Sequence, residues 1–218
     1  MSVTCGFSYG VCAIRLTRVD SRGSVIAGQN SYVTDNATEV TVNVNKEAGN
    51  TVSLRNGCGC SLVRFKSPDT FNWFEFQFTD GSLEPIVQEF MLGADGILDG
   101  SDTVGVNYPG ALACDDDEPA VAFEFWTQNV NGSAQDSTFP WFHFVFPRTV
   151  WSLGDNTFAE DVTRPVLAGF SKTNALWGVG PYNDGPPDNT HIEEGGWWMT
   201  DQDPPAAECA KQSVTATS

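Results

Sequence analysis

Histidine is nearly missing from this chain: there are two, His143 and His191, in 218 residues. That scarcity narrows catalysis, because a serine or cysteine triad would have to take one of them as its base. No serine sits in a Gly-x-Ser-x-Gly elbow, and the sequence carries neither a phosphate loop nor a dinucleotide glycine motif. Gly178-Val179-Gly180 runs into Pro181 and reads as a turn, not as the start of a phosphate-binding helix. Basic residues are scarce too: 11 Lys/Arg stand against 28 Asp/Glu, a formal net charge of −17. A basic groove for nucleic acid is therefore excluded, since phosphates are held by Lys and Arg. Long hydrophobic runs are also absent. The longest are strand-sized, such as Val121-Ala122-Phe123-Glu124-Phe125-Trp126, against the roughly 20 residues of a spanning helix. Met1-Ser2-Val3-Thr4-Cys5 has no basic patch followed by an apolar run, so no secretory signal is read there. Taken as complete, the chain is expected to fold in a cytoplasm and to contact no membrane.

Cysteine is sparse for a chain of this size, with six: Cys5, Cys12, Cys58, Cys60, Cys114 and Cys209. Three states are compatible with them. Cys5, Cys12, Cys58 and Cys60 could form a four-thiolate zinc site, although neither pair has the usual two-to-four-residue spacing. Cys5 or Cys12 could bridge to Cys58 or Cys60, which are too close to bridge one another easily. Reduced structural thiols are the expectation in a reducing compartment, with no metal and no cofactor. A chain of 218 residues that is 40% hydrophobic can bury a sizeable core, as one domain or as one domain with an appended subdomain.

What is present is strand periodicity. Val40, Val42 and Val44 alternate with Thr41, Asn43 and Asn45, and Phe74, Phe76 and Phe78 alternate with Trp73, Glu75, Gln77 and Thr79. Phe142, Phe144 and Phe146 do so with Trp141, His143 and Val145. Each pattern predicts a strand with one buried and one wet face. Ser21-Arg22-Gly23, Glu47-Ala48-Gly49-Asn50, Asn56-Gly57 and Asp80-Gly81 supply turns between the runs. One segment breaks the rule. From Ser82 as a cap, with Pro85 in the first turn and Gly93 as a stop, apolar Leu83, Ile86, Val87, Phe90 and Met91 fall at helical spacing. The expected fold class is mainly β: an antiparallel β sandwich flanked by one α-helix over about 82–92, with long loops.

Residues 93–119 dissolve into Gly, Asp and Asn and end in Asp115-Asp116-Asp117-Glu118. Their spacing fails the twelve-residue calcium-loop pattern, so a solvated loop is expected. Trp197-Trp198-Met199 reads as a late strand and 203–218 as a flexible tail. Charge is divided unevenly: 1–66 carries a net +3 and 67–218 a net −20. Such a division allows opposite charge on two faces of a self-associating subunit.

The segment Ile14-Arg15-Leu16-Thr17-Arg18-Val19-Asp20, followed by the turn at Ser21-Arg22-Gly23, the Val40–Asn45 strand and the Cys58-Gly59-Cys60 turn, resembles the N-terminal half of the major tail tube proteins of long-tailed, siphovirus-type bacteriophages infecting actinobacteria. Phe146-Pro147-Arg148-Thr149, Gly154-Asp155-Asn156-Thr157-Phe158 and Trp177-Gly178-Val179-Gly180-Pro181-Tyr182 form a second island of likeness. The resemblance spans roughly residues 10–182. It departs from the family after the first strand, where a small residue or cysteine followed by Gly-Arg-Pro is common. It implies a tail tube β-sandwich domain over 1–182, with 183–218 a loop-rich C-terminal extension or arm. It further implies a structural, non-catalytic subunit that closes into homo-hexameric rings stacked into a tube. The implied partners are further copies of itself and tape-measure, tail terminator and distal tail proteins. DNA passes through the bore without specific binding, and the tube belongs to the virion tail, assembled in the bacterial host cytoplasm. On this reading Glu39, Thr41, Asn43, Asn45, Glu75 and Gln77 face the lumen. Arg15, Arg18, Arg22 and Arg64 then meet Asp115, Asp116, Asp117 and Glu118 of the next ring.

The alternative is a β-sandwich glycoside hydrolase with Glu75 and Glu124 as its carboxylate pair, or a carbohydrate-binding module or adhesin. Seven tryptophans suit sugar stacking, but aromatic residues also fill sandwich cores and interfaces.

Overall fold

The computed structural model describes residues 6–100, 102–108, 118–132, 134–155, 164–208 and 210–216. Among the described residues the chain is mainly β, with antiparallel sheets and one α-helix. Strands β1 (Phe7–Val19), β2 (Gly28–Thr34), β3 (Ala37–Glu47), β4 (Thr51–Arg55), β5 (Ser61–Lys66) and β6 (Thr70–Asp80) precede the helix α1 (Pro85–Leu92). After it come β7 (Asp95–Asp99), β8 (Asp102–Asn107), β9 (Ala120–Asn131), β10 (Ala134–Gln135) and β11 (Trp141–Leu153), then β12 (Val166–Ser171), β13 (Gly196–Thr200) and β14 (Gln212–Val214). Among the described residues, no helix is long and apolar enough to cross a membrane.

Ten strands form one sheet in the order β14-β2-β1-β9-β11-β12-β6-β3, with β10 added to β9 and β13 to β11. The β4–β5 and β7–β8 pairs are separate two-stranded ribbons. Apolar residues line up in register across the main sheet: Leu16, Phe123 and Phe146 in one row, and Ile14, Phe125 and Phe144 in the next. Phe76, Phe78, Trp151 and Leu167 join them from the other half of the sheet, and β1 touches β3. The sheet thus curls until both halves share one core. α1 closes it with Val87, Phe90 and Met91. Gly169 makes room for this: a Cβ there would sit 2.7 Å from the Trp151 ring.

The helix begins later than the Ser82 cap suggested. Glu84 is its N-cap residue, and its carboxylate instead accepts hydrogen bonds from Tyr32, Thr34 and Asn36. Gly93 ends the helix in the left-handed region, φ 63°, as a stop glycine should. Two other expectations change. His143 and Val145 were assigned to a wet face, yet both are buried, because 172–195 crosses that face and packs Trp177, Tyr182 and Ile192 onto Ala122, Val145 and Val150. β11 is therefore covered on both sides over much of its length. Within 203–218, read as a flexible tail, Gln212–Val214 forms β14 against β2, while the late strand expected at Trp197 is β13.

Asp80, at the end of β6, is a buried carboxyl that the frame does not fully satisfy. Burial first, then the neighbouring Glu84 charge, lifts its carboxyl to about 7, and among the described residues Oδ2 has no hydrogen-bond partner. An acid whose folded pKa lies above its ordinary value favours the folded state most at low pH, and that contribution is lost as pH rises through about 7. Asp80→Asn should therefore stabilise the protein at pH 8, with the gain shrinking toward pH 4. Urea midpoints across that range measure it.

Candidate assembly surfaces

Beyond the segment 172–195, the second face of the sheet is open. Glu39, Thr41, Asn43 and Asn45 of β3 pair with Thr79, Gln77, Glu75 and Trp73 of β6. Val166, Ala168 and Phe170 of β12 continue the same rows. The six polar residues expected on a wet face thus share one face in cross-strand register. They are tied to one another: Asn45 Nδ2 donates to Glu75 Oε1 at 2.7 Å, Trp73 Nε1 to the same oxygen at 3.3 Å, and Thr41 Oγ1 to Glu39 Oε1 at 3.3 Å. A shallow groove of about 660 Å³ runs past Trp73, Glu75, Ser152 and Phe170. The opposite face of β3 departs from expectation. Val40 packs on the core, but Val44 is 55% exposed and Val42 is also solvent-accessible, because β3 is the last strand of the sheet and outruns the core beneath it.

Arg15, expected at a ring-to-ring contact, is instead buried, at 3% exposed. Its position on β1 places it opposite Glu124 of β9. Arg15 Nε donates to Glu124 Oε1 at 2.9 Å and Nη2 to Oε2 at 2.6 Å, while Nη1 reaches Asp184 Oδ2 at 2.8 Å. The guanidinium also lies 3.5 Å from the Tyr182 ring centroid. The Tyr182 hydroxyl donates to Ser31 Oγ at 2.7 Å and is 2.9 Å from Thr17 Oγ1. His143 Nε2 sits 3.1 Å from Glu124 Oε2, with its ring stacked on Trp126. Burial pushes the Glu124 carboxyl up, but the Arg15 charge and hydrogen bonds from His143 and Arg15 outweigh it and hold it at about 2. Burial likewise pulls Arg15 down, and Glu124 and Asp184 more than offset that, so its pKa is raised.

This geometry separates Glu75 from Glu124. Glu75 lines the open groove, whereas Glu124 lines an enclosed space of about 10 Å³ beneath 177–186. The two carboxylates do not face a common cleft. Of the other residues expected at ring contacts, Arg18 is committed to Glu89, at 3.1 Å, and lies over Phe90. Glu118 is ion-paired with Lys172. Arg22 and Arg64 are exposed, and Asp115, Asp116 and Asp117 lie outside the described residues.

Sequence reasoning missed the strands of the two ribbons, although the Asn56-Gly57 turn between β4 and β5 was expected. In β4–β5, Val52 pairs with Phe65 and Leu54 with Val63, so four apolar side chains share one face. Among the described residues nothing covers them; Phe65 is 58% exposed. The β7–β8 ribbon occupies what was expected to be solvated loop, with Leu98 63% exposed. The alternation of Val52 and Leu54 was available in the sequence as a signal. The second ribbon had none, because glycine and aspartate mask its short strands. Cys58 and Cys60 sit exposed at the tip of β4–β5, and Cys12 is half-buried. All three are free thiols, so no bridge joins Cys12 to Cys58 or Cys60. Among the described residues, no group of three or more His, Cys, Asp or Glu side chains is placed to hold a metal. No family model matches the chain, and no curated protein shows significant sequence similarity to it.

Because the Glu124 pKa lies below its ordinary value, its ionised form stabilises the fold above about pH 4.5, and that contribution is lost as pH falls toward 2. Glu124→Gln removes one partner of a buried pair and should cost about 3–5 kcal/mol at pH 7. Its deficit against wild type should narrow between pH 5 and pH 2, as read from denaturant midpoints.

Proposed function

We propose that this chain is a structural subunit that polymerises, as stacked homo-hexameric rings, into the tail tube of a long-tailed bacteriophage. The observation that carries the reading is the β4–β5 ribbon. A lone two-stranded hairpin is marginal in water, and this one holds Val52, Leu54, Val63 and Phe65 on an uncovered face. Exposed apolar surface of that kind marks a contact with another chain. The position of β3 as the last strand of the sheet among the described residues adds to it, since away from its contact with β1 an edge strand offers backbone groups that a neighbour can extend.

In such a tube the open face of β3 and β6 lines the bore. Glu39, Thr41, Asn43, Asn45, Glu75 and Gln77 present carboxylates, amides and a hydroxyl without a basic side chain among them, so passing DNA finds nothing there to hold its phosphates. The subunit acts without catalysis. Its partners are other copies of itself and the tape-measure, terminator and distal tail proteins at the ends of the tube. It resides in the virion tail after assembly in the host cytoplasm.

At increasing concentration the purified chain should give rings or tubes by light scattering and negative-stain microscopy. Val63→Asp with Phe65→Asp should leave a monomer of unchanged circular dichroism. A wild-type chain that remains a compact monomer and binds glycans would sink the reading.

A further inference from the structure

We infer that the β4–β5 ribbon of one copy docks on the β7–β8 ribbon of a second copy, an interface that rests on the reading of this chain as a self-assembling subunit. The two ribbons are complementary in charge and alike in exposed apolar surface. Thr51–Lys66 carries Arg55, Arg64 and Lys66 and no acid; Asp95–Asn107 carries Asp95, Asp99 and Asp102 and no base. Val52, Leu54, Val63 and Phe65 stand in solvent on the first ribbon, and Ile97 and Val104 on the second. Along β7 the alternation puts Asp95, Ile97 and Asp99 on one face, while Gly96 turns toward Glu89 of α1. The acidic and apolar groups at Asp95, Ile97 and Asp99 are therefore presented away from the helix.

Their positions along the sheet make the contact head to tail. β3 leads into the basic ribbon and β6 leads out of it, so this ribbon sits at the N-terminal end of β6. The acidic ribbon follows α1, which starts beyond the C-terminal end of β6 and packs against β7 and β8. Eleven residues of β6 separate the two ends, roughly 35 Å of extended strand. A ribbon at one end cannot fold back on the ribbon at the other within a single chain, whereas a second copy displaced along the strand direction brings them together. Such a contact joins different patches on the two copies, so it propagates from copy to copy as an open stack wherever its rotation does not close a ring. Flexible stems let Arg55 and Arg64 reach the rim of a narrow ribbon while its apolar face is buried. This pairing replaces the expected one: Arg64 is retained, Arg15 and Arg18 are engaged within the chain, and Asp95 and Asp99 take the acidic role.

The test is a charge exchange. Arg55→Glu with Arg64→Glu makes one variant, and Asp95→Lys with Asp99→Lys makes the other. Each alone should raise the concentration for half-assembly about tenfold or more at low salt, since paired attractions become repulsions. An equimolar mixture, or all four changes in one chain, should restore it. Arg55→Gln with Arg64→Gln provides a second, gentler variant, whose weaker assembly should lose most of the wild-type dependence on salt. If wild type assembles and the single-ribbon variants do so at the same concentration, the ribbon pairing is overturned and the tube reading survives. A mixture that fails to restore assembly also overturns the pairing. A wild-type chain that is monomeric at every concentration overturns both.

Discussion

The Arg15–Glu124 pair is the constraint on which the organisation of this protein depends. Both side chains project from the middle of the sheet onto the face opposite the aromatic core. A buried carboxylate or guanidinium alone is costly, and the two are tolerable together only because the fork is bidentate and the remaining donor finds Asp184. Asp184 and Tyr182 belong to 172–195, so satisfying the guanidinium draws that segment down over β1, β9 and β11. Trp177 and Ile192 then complete a second apolar layer. The ion pair therefore decides which part of the second face is closed.

The remainder of that face is open for the same reason. The covering segment is held over the half of the sheet that contains Arg15, and β6 and β3 lie at the far end, beyond β12. There the outward rows are mostly polar, with Asn45 and Trp73 both hydrogen-bonded to Glu75. One sheet thus carries an aromatic core on one side, and on the other a capped half and a bare half. On the proposed reading, the bare, non-basic half would line a bore and the exposed apolar groups of the two ribbons would serve contacts between copies.

Legibility in the sequence followed the periodicity. The Phe74–Phe78 alternation correctly assigned inner and outer faces of β6, and the helix was readable because Pro85, Gly93 and the spacing of Val87, Phe90 and Met91 are local signals. Alternation misassigned His143 and Val145, because a strand covered on both sides differs from a half-wet one only through what packs on it. It also misassigned Val42 and Val44, where the strand runs past its core. Arg15 looked like a surface charge because nothing nearby in sequence announces Glu124 or Asp184, which lie 109 and 169 residues away.

By itself, the sequence determined what short-range chemistry controls: strand alternation, the α1 helix and its glycine stop, the turns and the acidic balance. The tertiary structure alone decided which charges are spent internally, which face is covered and which apolar strands are left in solvent. These depend on pairings between residues a hundred or more positions apart, and burial is a property of what packs against a side chain, not of the side chain or its neighbours in the chain.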